Sequence, residues 1–461
     1  MIVSELTVET TTIPGLLVVR MPVHGDDRGW FKENWQRAKM TALGLPDFGP
    51  VQNNISFNTR RGATRGIHAE PWDKYVGVAT GRVFAAWVDL RAGDSFGATF
   101  SVEIDPGVAV FVPRGVGNSY QALEDGTAYT YLVNDHWRPG VTYPALALDD
   151  ATASIPWPIP LTEADISEKD KANPTLDAVV PMQPRRTLVV GSKGQLGRAL
   201  LDVLPDAHGV DLDEFDITDP AAVAAFPWSE YGTILNAAAF TAVDVAETPE
   251  GRRSSWAANA VAPALLAQAA IEHGLTLVHY SSDYVFDGTA ELHDESEGFA
   301  PLGVYAQTKA AGDIAVGVAP RHYVLRTSWV VGEGRNFVRT MQSLAENGVS
   351  PSVVDDQYGR LTFTTELARA TLHLLAVGAP FGTYNVTNAG PTMSWCDIAR
   401  EVFVLCGRSA EDVCATDTAT YGAGKDLSPR PVHSTLDLSR IEATGFVPQD
   451  AREALKAYLG L

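Results

Sequence analysis

The chain has few cysteines, few basic residues and no long hydrophobic run among its 461 residues. Its three cysteines, Cys396, Cys406 and Cys414, fit neither the spacing of a zinc site nor a disulfide framework, so we expect reduced thiols. No segment approaches the roughly 20 apolar residues that span a bilayer. The first residues lack the basic region and apolar run of a secretory signal. These absences predict a soluble, cytoplasmic protein.

Basic residues are outnumbered, since 35 lysines and arginines face 56 aspartates and glutamates and give a formal net charge of −21. An acidic surface repels phosphate backbones, so we expect neither nucleic acid nor a membrane surface as a partner. A small anionic ligand stays compatible, because one phosphate needs only a few local donors. The length predicts two or three domains.

Short apolar runs separated by glycine and proline fill the first part of the chain. Examples are the runs 16–19, 75–78, 83–88 and 108–112. Strands of this length and spacing are typical of an all-β sandwich or a cupin-like jelly roll. We therefore place an all-β domain at residues 1–178. A proline-rich linker follows at 179–186, because such segments act as semi-rigid spacers.

From residue 187 onward, strand-like runs alternate with helix-like runs. The strand-like runs 187–190, 233–235 and 276–280 are separated by helical runs such as 196–204 and 257–272. This alternation predicts βαβ units and hence a Rossmann-type, doubly wound parallel sheet in residues 187–461.

A glycine motif, Gly191-Ser-Lys-Gly194-Gln-Leu-Gly197, lies between the first strand and the first helix of this region. A pyrophosphate that backbone amides approach closely requires residues without a Cβ, so the motif predicts a dinucleotide site. A plain strand–helix turn is the alternative for a lone glycine triplet. Asp211 and Asp213, after the second strand, could bind a ribose diol and favour NADH, but NADPH stays an open alternative.

Tyr305 and Lys309 are four residues apart and so share one face of a helix. A phenol is a poor acid–base catalyst at neutral pH until a nearby cation lowers its pKa, and Lys309 would supply that cation. Tyr305 could then protonate a carbonyl oxygen as hydride arrives. Ser282 ends a preceding strand and could be the third hydrogen-bonding group. Surface decoration is the alternative for a lone Tyr-x-x-x-Lys pattern.

Residues 187–461 resemble the extended short-chain dehydrogenases and, within them, the dTDP-4-dehydrorhamnose reductase family. The matching segments are NAAAFTAVD at 236–244 with Glu247, SSDYVFD at 281–287, YAQTK at 305–309, RTSWV at 326–330, DQYG at 356–359 and RPVHS at 430–434. The resemblance implies a small C-terminal substrate subdomain and catalysis by Ser282, Tyr305 and Lys309.

The same resemblance implies contacts to an NADPH or NADH cofactor and to a sugar nucleotide. The residues implied at the cofactor are Gly191, Lys193, Gly194, Gln195, Leu196, Gly197, Asp211, Ala237, Ala238, Ala239, Tyr305 and Lys309. The residues implied at the substrate are Thr241, Asp283, Trp329, Asn336 and Arg430. The chain departs from the family in Ser282, where threonine is common, and in RLT at 360–362, where a small residue and proline are usual.

Residues 1–178 contain three histidines, His24, His68 and His136, which form no cluster with carboxylates. We therefore expect a site without metal. His68 lies close in sequence to the cations Arg65 and Lys74, although a lone histidine is more often structural.

Residues 1–178 also resemble the dTDP-4-dehydrorhamnose 3,5-epimerase family. The matching segments are GDDRGWF at 25–31, QNNIS at 52–56, RGIH at 65–68, VDLR at 88–91, SFG at 95–97, VPRG at 112–115 and SEKD at 167–170. Such a reaction removes a proton α to a ketone, forms an enolate and returns a proton to the other face. The resemblance implies His68 as base, oriented by Asp170, with Lys74 steadying the enolate and Tyr131 as acid.

The epimerase resemblance implies substrate contacts and a homodimer that exchanges N-terminal strands. The contacts would come from Arg28, Phe31, Glu33, Gln52, Asn54 and Arg65. Three departures bear on activity at both sugar carbons. They are AEPW at 69–72 in place of an aromatic-Gln continuation, Asn118 where a second histidine is common and Trp137 where a second tyrosine is common.

The two resembled families catalyse successive steps, from dTDP-4-dehydro-6-deoxy-D-glucose to the L-configured ketone and then to dTDP-L-rhamnose. The sequence therefore predicts a bifunctional epimerase–reductase. Two alternatives stay open. One is an active reductase whose first domain only binds a nucleotide sugar, and the other is the same chemistry on another 6-deoxyhexose.

Overall fold

The computed structural model describes residues 5–136, 140 and 142–461, so Trp137 lies outside the described residues. The chain divides into two units, residues 1–184 and 185–461. Each unit has its own hydrophobic core. The two-domain architecture predicted from the sequence, a β-sheet unit followed by a Rossmann-like unit, is thereby confirmed.

The first unit is built from short strands rich in β-branched and aromatic residues, which suit a pleated surface. Its strands are β1 (Thr7–Thr10), β2 (Leu17–Arg20), β3 (His24–Asp26), β4 (Gly29–Phe31), β5 (Gln52–Asn58), β6 (Ala63–His68), β7 (Lys74–Thr80), β8 (Val83–Asp89), β9 (Thr99–Ile104), β10 (Val108–Val112), β11 (Val116–Ala122), β12 (Thr127–Val133) and β13 (Asp165–Ile166). Its helices are α1 (Arg37–Ala42) and α2 (Glu168–Lys171).

Two sheets enclose the core of this unit. The six-stranded sheet has the order β1-β2-β10-β7-β12-β5, and the five-stranded sheet has the order β13-β6-β11-β8-β9. Neighbouring strands are antiparallel except β13 and β6. Val76 and Val110 of one sheet share a buried cluster with Ala85 and Trp87 of the other, because alternate residues of each strand point inward.

Residues 144–182 pack against one face of the five-stranded sheet, since Leu146 and Val179 share a buried cluster with Ile67, Val88 and Leu90. Leu146 pairs with Ile67 through both backbone hydrogen bonds, and Met182 donates to the Leu90 carbonyl at 2.8 Å. Residues 179–182, inside the segment predicted as a linker, therefore pack on the first unit.

The second unit alternates strands and helices. Its strands are β14 (Arg186–Val190), β15 (His208–Val210), β16 (Tyr231–Asn236), β17 (Thr276–Ser282), β18 (His322–Thr327), β19 (Val330–Val331), β20 (Ser352–Val354), β21 (Tyr358–Gly359), β22 (Thr362–Phe363), β23 (Gly382–Asn385), β24 (Met393–Ser394) and β25 (Cys414–Thr416). Its helices are α3 (Gln195–Val203), α4 (Pro220–Ala225), α5 (Pro249–Trp256), α6 (Ala262–His273), α7 (Val304–Val316), α8 (Phe337–Glu346), α9 (Thr364–Val377), α10 (Trp395–Leu405), α11 (Thr418–Gly422), α12 (Ser439–Glu442) and α13 (Ala451–Leu459).

A parallel sheet with the order β15-β14-β16-β17-β18-β23 forms the centre of this unit. Leu188 and Ile234 contribute to a cluster on one face, and their neighbours Val189 and Leu235 contribute to a cluster on the other. Both faces are thus buried, as parallel sheets require. The strand order reverses at β14, so ligands are expected at the carboxyl ends of β14 and β16.

Three strand pairs, β19 with β22, β20 with β25 and β21 with β24, lie outside this sheet. Val338, Val353, Val402 and Leu455 belong to a separate cluster that joins α8, α10 and α13. These elements form a smaller subdomain with its own core. Across the described ranges, no helix is both long enough and apolar enough to cross a membrane.

Two candidate active sites

A histidine–carboxylate pair forms the centre of the first site. His68 ends β6, and its Nε2 lies 2.8 Å from Oδ1 of Asp170 in α2. Burial alone would raise the pKa of Asp170, but hydrogen bonds from His68, from the Gly66 amide and from Ser167 lower that pKa below its usual value. Asp170 is therefore ionised at neutral pH and fixes the orientation of the imidazole.

One cavity of about 280 Å³ brings together the residues predicted for proton transfer. His68, Lys74, Tyr131 and Asp170 all line it, and so does Arg65. These side chains come from both sheets, because β6 belongs to one and β7 and β12 belong to the other. The cavity therefore brings an imidazole, cationic side chains and a phenol within reach of one small ligand.

Tyr131 keeps its proton at neutral pH. Burial, and then the negative charge of Glu70, raise the pKa of Tyr131 above its usual value. A protonated phenol in the same cavity as an imidazole suits the role of acid.

The predicted nucleotide contacts of β5 lie near this cavity. Gln52 and Asn54 share one face of the strand with Ser56, which lines the cavity. The Gln52 amide donates to Asn54 Oδ1 at 2.8 Å.

Three further predicted contacts lie elsewhere. Arg28, Phe31 and Glu33 belong to the β3–β4 hairpin and the residues after it, and Phe31 is 65% exposed. Arg28 pairs with Asp26, and Glu33 pairs with Lys39 at 2.6 Å. None of these three residues is among the described residues that line the cavity.

Sequence reasoning did not assign Glu70, Asn118 and Tyr129, which also line this cavity. Asn118 Oδ1 accepts hydrogen bonds from the Trp87 indole at 3.0 Å and the Tyr129 hydroxyl at 3.1 Å. Glu70 pairs with Lys74. Glu70 and Asn118 depart from the family pattern in the sequence, and these departures could have marked them as site residues.

Tyr143 is also near the first site. Its ring centroid lies 6.2 Å from that of His68, edge to face. No sequence pattern marks Tyr143, because a backbone bridge between Ala145 and His68 brings this loop to the site.

The second site begins at the glycine motif, which closes tightly on the end of β16. Gly191 has a φ of +79°, and a Cβ there would lie 2.6 Å from the Ala238 amide nitrogen. A Cβ at Gly197 would collide with the Gly191 carbonyl. Gly194 is the N-cap of α3, so the helix amides face the loop. This cradle fits a pyrophosphate.

The predicted ribose-binding residues lie beside the cradle. Asp211 Oδ2 accepts from the Lys193 amide at 2.9 Å, and Lys193 Nζ lies 2.5 Å from Asp213 Oδ1. Gln195 begins α3, and the Ala237 amide donates to the Val190 carbonyl at 2.9 Å. Carboxylates and a cation thus stand together at the end of β15.

Ser282, Asp283 and Tyr305 line a cavity of about 360 Å³. Ser282 Oγ donates to Asp283 Oδ1 at 2.9 Å, and the Tyr305 hydroxyl hydrogen-bonds with Ser282. Burial raises the pKa of Asp283 to about 6. Thr241 lines the same cavity.

Lys309 lies behind Tyr305 on α7 and is 2% exposed. Its Nζ donates to the Tyr280 carbonyl at 2.6 Å and lies 3.5 Å from His279 Nε2. Burial lowers the pKa of Lys309 to about 8. Burial, and then the charge of Asp283, raise the pKa of Tyr305. The predicted lowering of the Tyr305 pKa was wrong in this structure, because burial and the charge of Asp283 both raise it and the hydrogen bond to Ser282 does not offset them.

Trp329 forms one wall of this cavity. Its indole stacks on Trp395 with a centroid separation of 3.7 Å, and a Cβ at Gly359 would lie 2.9 Å from the Trp329 ring. Asn336, also in the wall, caps α8, and its amide donates to the Tyr458 hydroxyl at 2.8 Å.

Arg430 lines a second cavity of about 780 Å³ rather than the first. Its guanidinium donates to Asp244 Oδ1 at 2.8 Å. Tyr284, Phe337 and Trp395 line both cavities, so the two adjoin. Sequence reasoning missed these three aromatic residues, because their proximity depends on the subdomain packing.

Glu247 connects the start of α7 to the segment that carries Ser428 and Arg430. One carboxylate oxygen accepts from the Val304 amide at the start of α7 and from Ser428 Oγ, each at 2.8 Å. It therefore fixes the start of the Tyr305 helix against the segment that carries Arg430.

Two family models match the chain, one for each unit. The model described as dTDP-4-dehydrorhamnose 3,5-epimerase matches residues 10–178. The model described as RmlD substrate binding domain matches residues 185–460.

Individual relatives show the same division. The protein RmlC homolog of Streptococcus pyogenes is 46% identical over 184 residues, which cover 38% of this chain and 92% of the relative. A probable dTDP-4,6-dihydroxy-2-methyloxan-3-one 4-ketoreductase of Streptomyces antibioticus is 40% identical over 284 residues, which cover 59% of this chain and 93% of the relative. The crystal structure of dTDP-4-dehydrorhamnose reductase from Bacillus anthracis in complex with NADP is 30% identical, with a TM-score of 0.55, and covers 60% of this chain and 98% of that chain.

Proposed function

We propose that this chain is a bifunctional enzyme of dTDP-L-rhamnose synthesis. Its first unit belongs to the dTDP-4-dehydrorhamnose 3,5-epimerase family, and its second unit belongs to the RmlD substrate-binding-domain family. Both resemblances drawn from the motifs are thereby confirmed. The observation that carries the proposal is that each unit holds the acid–base set of its own step in one cavity.

In the first unit, His68 would take the proton from the sugar carbon next to the ketone. The C–H electron pair would move to the ketone oxygen, where Lys74 stabilises the resulting enolate. Tyr131 would return a proton to carbon from the opposite face, and exchange with water would restore both residues. Support comes from the 2.8 Å contact of His68 with Asp170 and from the shared cavity.

In the second unit, a bound nicotinamide cofactor would supply hydride to the carbonyl carbon. Tyr305 would donate its proton to the carbonyl oxygen, with Ser282 holding that oxygen through its hydroxyl. Lys309 would hold the α7 side of the site through its bond to the Tyr280 carbonyl. The fit of a cofactor rests on the cradle at Gly191, which a Cβ would fill.

The cofactor is NADPH or NADH. Asp211 stands where a carboxylate binds a ribose diol, and Lys193 stands where a cation could meet a 2′-phosphate. The Bacillus anthracis relative was crystallised with NADP.

The two adjoining cavities suit a sugar nucleotide of two parts. The deoxysugar would lie against Ser282 and Tyr305 in the smaller cavity, and the nucleotide would extend past the shared aromatic residues into the larger one. Arg430 and Lys425 there would meet the pyrophosphate.

The first unit would form a homodimer and its sheets a jelly roll. The exposed β3–β4 hairpin supports a dimer, since its Phe31 would gain cover from a partner. Arg28, Phe31 and Glu33 would then serve the partner's cavity. Nucleotide sugars and reduced nicotinamides are cytoplasmic metabolites, so the enzyme would work in the cytoplasm.

One specific observation favours a second candidate for the sugar. The Streptomyces antibioticus relative is named for a different ketosugar, and it is 40% identical over 93% of its length. The same residues would then act on another 6-deoxyhexose.

The test is incubation of the full chain with dTDP-4-dehydro-6-deoxyglucose in heavy water, with and without NADPH, followed by mass spectrometry and NMR. We expect deuterium at C3 and C5 without cofactor and dTDP-L-rhamnose with it. Reduction only after addition of a separate epimerase would show that the first unit merely binds the nucleotide sugar.

A further inference from the structure

A buried ion pair lies in the wall of the first cavity. Glu70, in the loop between β6 and β7, pairs with Lys74 at the start of β7. The Lys74 side chain is 5% exposed and the Glu70 side chain is 14% exposed. Both residues line the cavity that contains His68.

An ammonium in this position needs a counter-charge. A buried cation is costly unless an opposite charge and hydrogen bonds compensate for its lost hydration. Arg65 and Lys169 also line the cavity, and their charges disfavour a third cation there. Asp170 is directed to His68, so Glu70 is the carboxylate that contacts Lys74.

We propose that Glu70 is a positioning residue of the epimerisation: its carboxylate holds the Lys74 ammonium at the cavity wall. The inference rests on the proposed function of the first unit. The chain carries Glu70 where the resembled family continues with glutamine.

The pair also acts on the phenols of the cavity. The charge of Glu70 contributes, after burial, to the raised pKa values of Tyr129, Tyr131 and Tyr143. The other titratable groups that line the cavity with the pair are Arg65, His68, Tyr120, Lys169 and Asp170. Removal of the Glu70 charge therefore acts on Lys74 directly and on the tyrosines more weakly.

The experiment measures deuterium wash-in from heavy water into dTDP-4-dehydro-6-deoxyglucose without nicotinamide, using the full chain. Wild type is compared with E70Q, which removes the charge at nearly constant shape, and with E70D, which keeps it. The matched control is E103Q, which removes a carboxylate that pairs with Arg82 on the surface. Thermal unfolding is measured for every variant.

We expect E70Q to lower kcat about tenfold, because the Lys74 ammonium loses the carboxylate that holds it at the cavity wall. KM should change by no more than about twofold, since Glu70 acts through Lys74. E70D should restore most of kcat, and E103Q should match the wild type.

An E70Q kcat equal to that of the wild type would overturn the inference. A loss of kcat that E70D shares in full, together with a lower melting temperature, would show a structural role and would overturn it as well. If E70Q fails to fold, a folded E70D with a modestly reduced kcat and an unchanged KM supports the inference, and a kcat equal to that of the wild type contradicts it. Absence of wash-in by the wild type would refute the proposed epimerase itself.

Discussion

The two sites hold their proton-transfer groups in different surroundings. In the first unit the His68 side chain is 23% exposed and faces an ionised carboxylate. In the second unit the carboxylate beside Ser282 and Tyr305 is Asp283, and burial raises its pKa to about 6. Epimerisation begins when a base takes a proton from carbon, whereas reduction ends when Tyr305 gives its proton to a carbonyl oxygen. The opposite shifts of the two carboxylate pKa values accompany this difference in chemistry.

His68 is the proposed base of the first unit. His68→Asn should reduce deuterium wash-in by about 10³-fold or more, because the amide cannot accept the carbon-bound proton. Reduction of the pre-epimerised ketone by the same variant should keep its wild-type rate. Wash-in that persists in the variant would show that another residue is the base.

Tyr305→Phe should reduce ketone reduction by about 10²- to 10³-fold, since the variant has no hydroxyl proton to donate. Wash-in into the epimerase substrate serves as the internal control and should be unchanged. Turnover close to that of the wild type would contradict the proposed mechanism of the second unit.

Gly191→Ala tests the cofactor cradle of the second unit. The new Cβ would meet the Ala238 backbone, so we expect NADPH to bind about 10²-fold more weakly, measured by isothermal titration. Gly298→Ala is the matched control, because a Cβ there has no neighbouring atom within 4 Å. Equal affinities of the two variants would place the cofactor elsewhere.

The pH profiles should also differ. Asp283 is ionised above about pH 6 and Lys309 is charged below about pH 8, so kcat/KM of reduction should be highest between these values and fall on either side. We expect the profile of wash-in to lack this pair of limbs. A reductase profile that is flat from about pH 5 to 9 would contradict these assignments.

The framework of both sites could be predicted from local sequence. The order of strand, glycines and helix in the sequence predicts the tight turn at 191–197, in which the structure leaves no room for a Cβ at Gly191 or Gly197. Short motifs predicted His68 and Asp170, which the structure brings into contact. These signals are local or carry a recognisable spacing.

Other features depend on contacts between distant segments. Tyr143 reaches His68 through a loop bridge, and Trp395 reaches Trp329 through the subdomain core. The pKa of Tyr305 was predicted in the wrong direction, because the sequence gives the spacing to Lys309 but not the extent of burial. Phe31 was predicted to contact substrate, but its side chain is exposed in the single chain, away from the cavity.

The stacked pair of Trp329 and Trp395 has a spectroscopic consequence. Indoles whose centroids are 3.7 Å apart and whose planes differ by 19° couple electronically and act as one chromophore in the near ultraviolet. One of them lines the smaller cavity and the other lines both cavities. We therefore expect the circular dichroism of this pair to change when a ligand fills either cavity, which would report occupancy without a label and before any turnover.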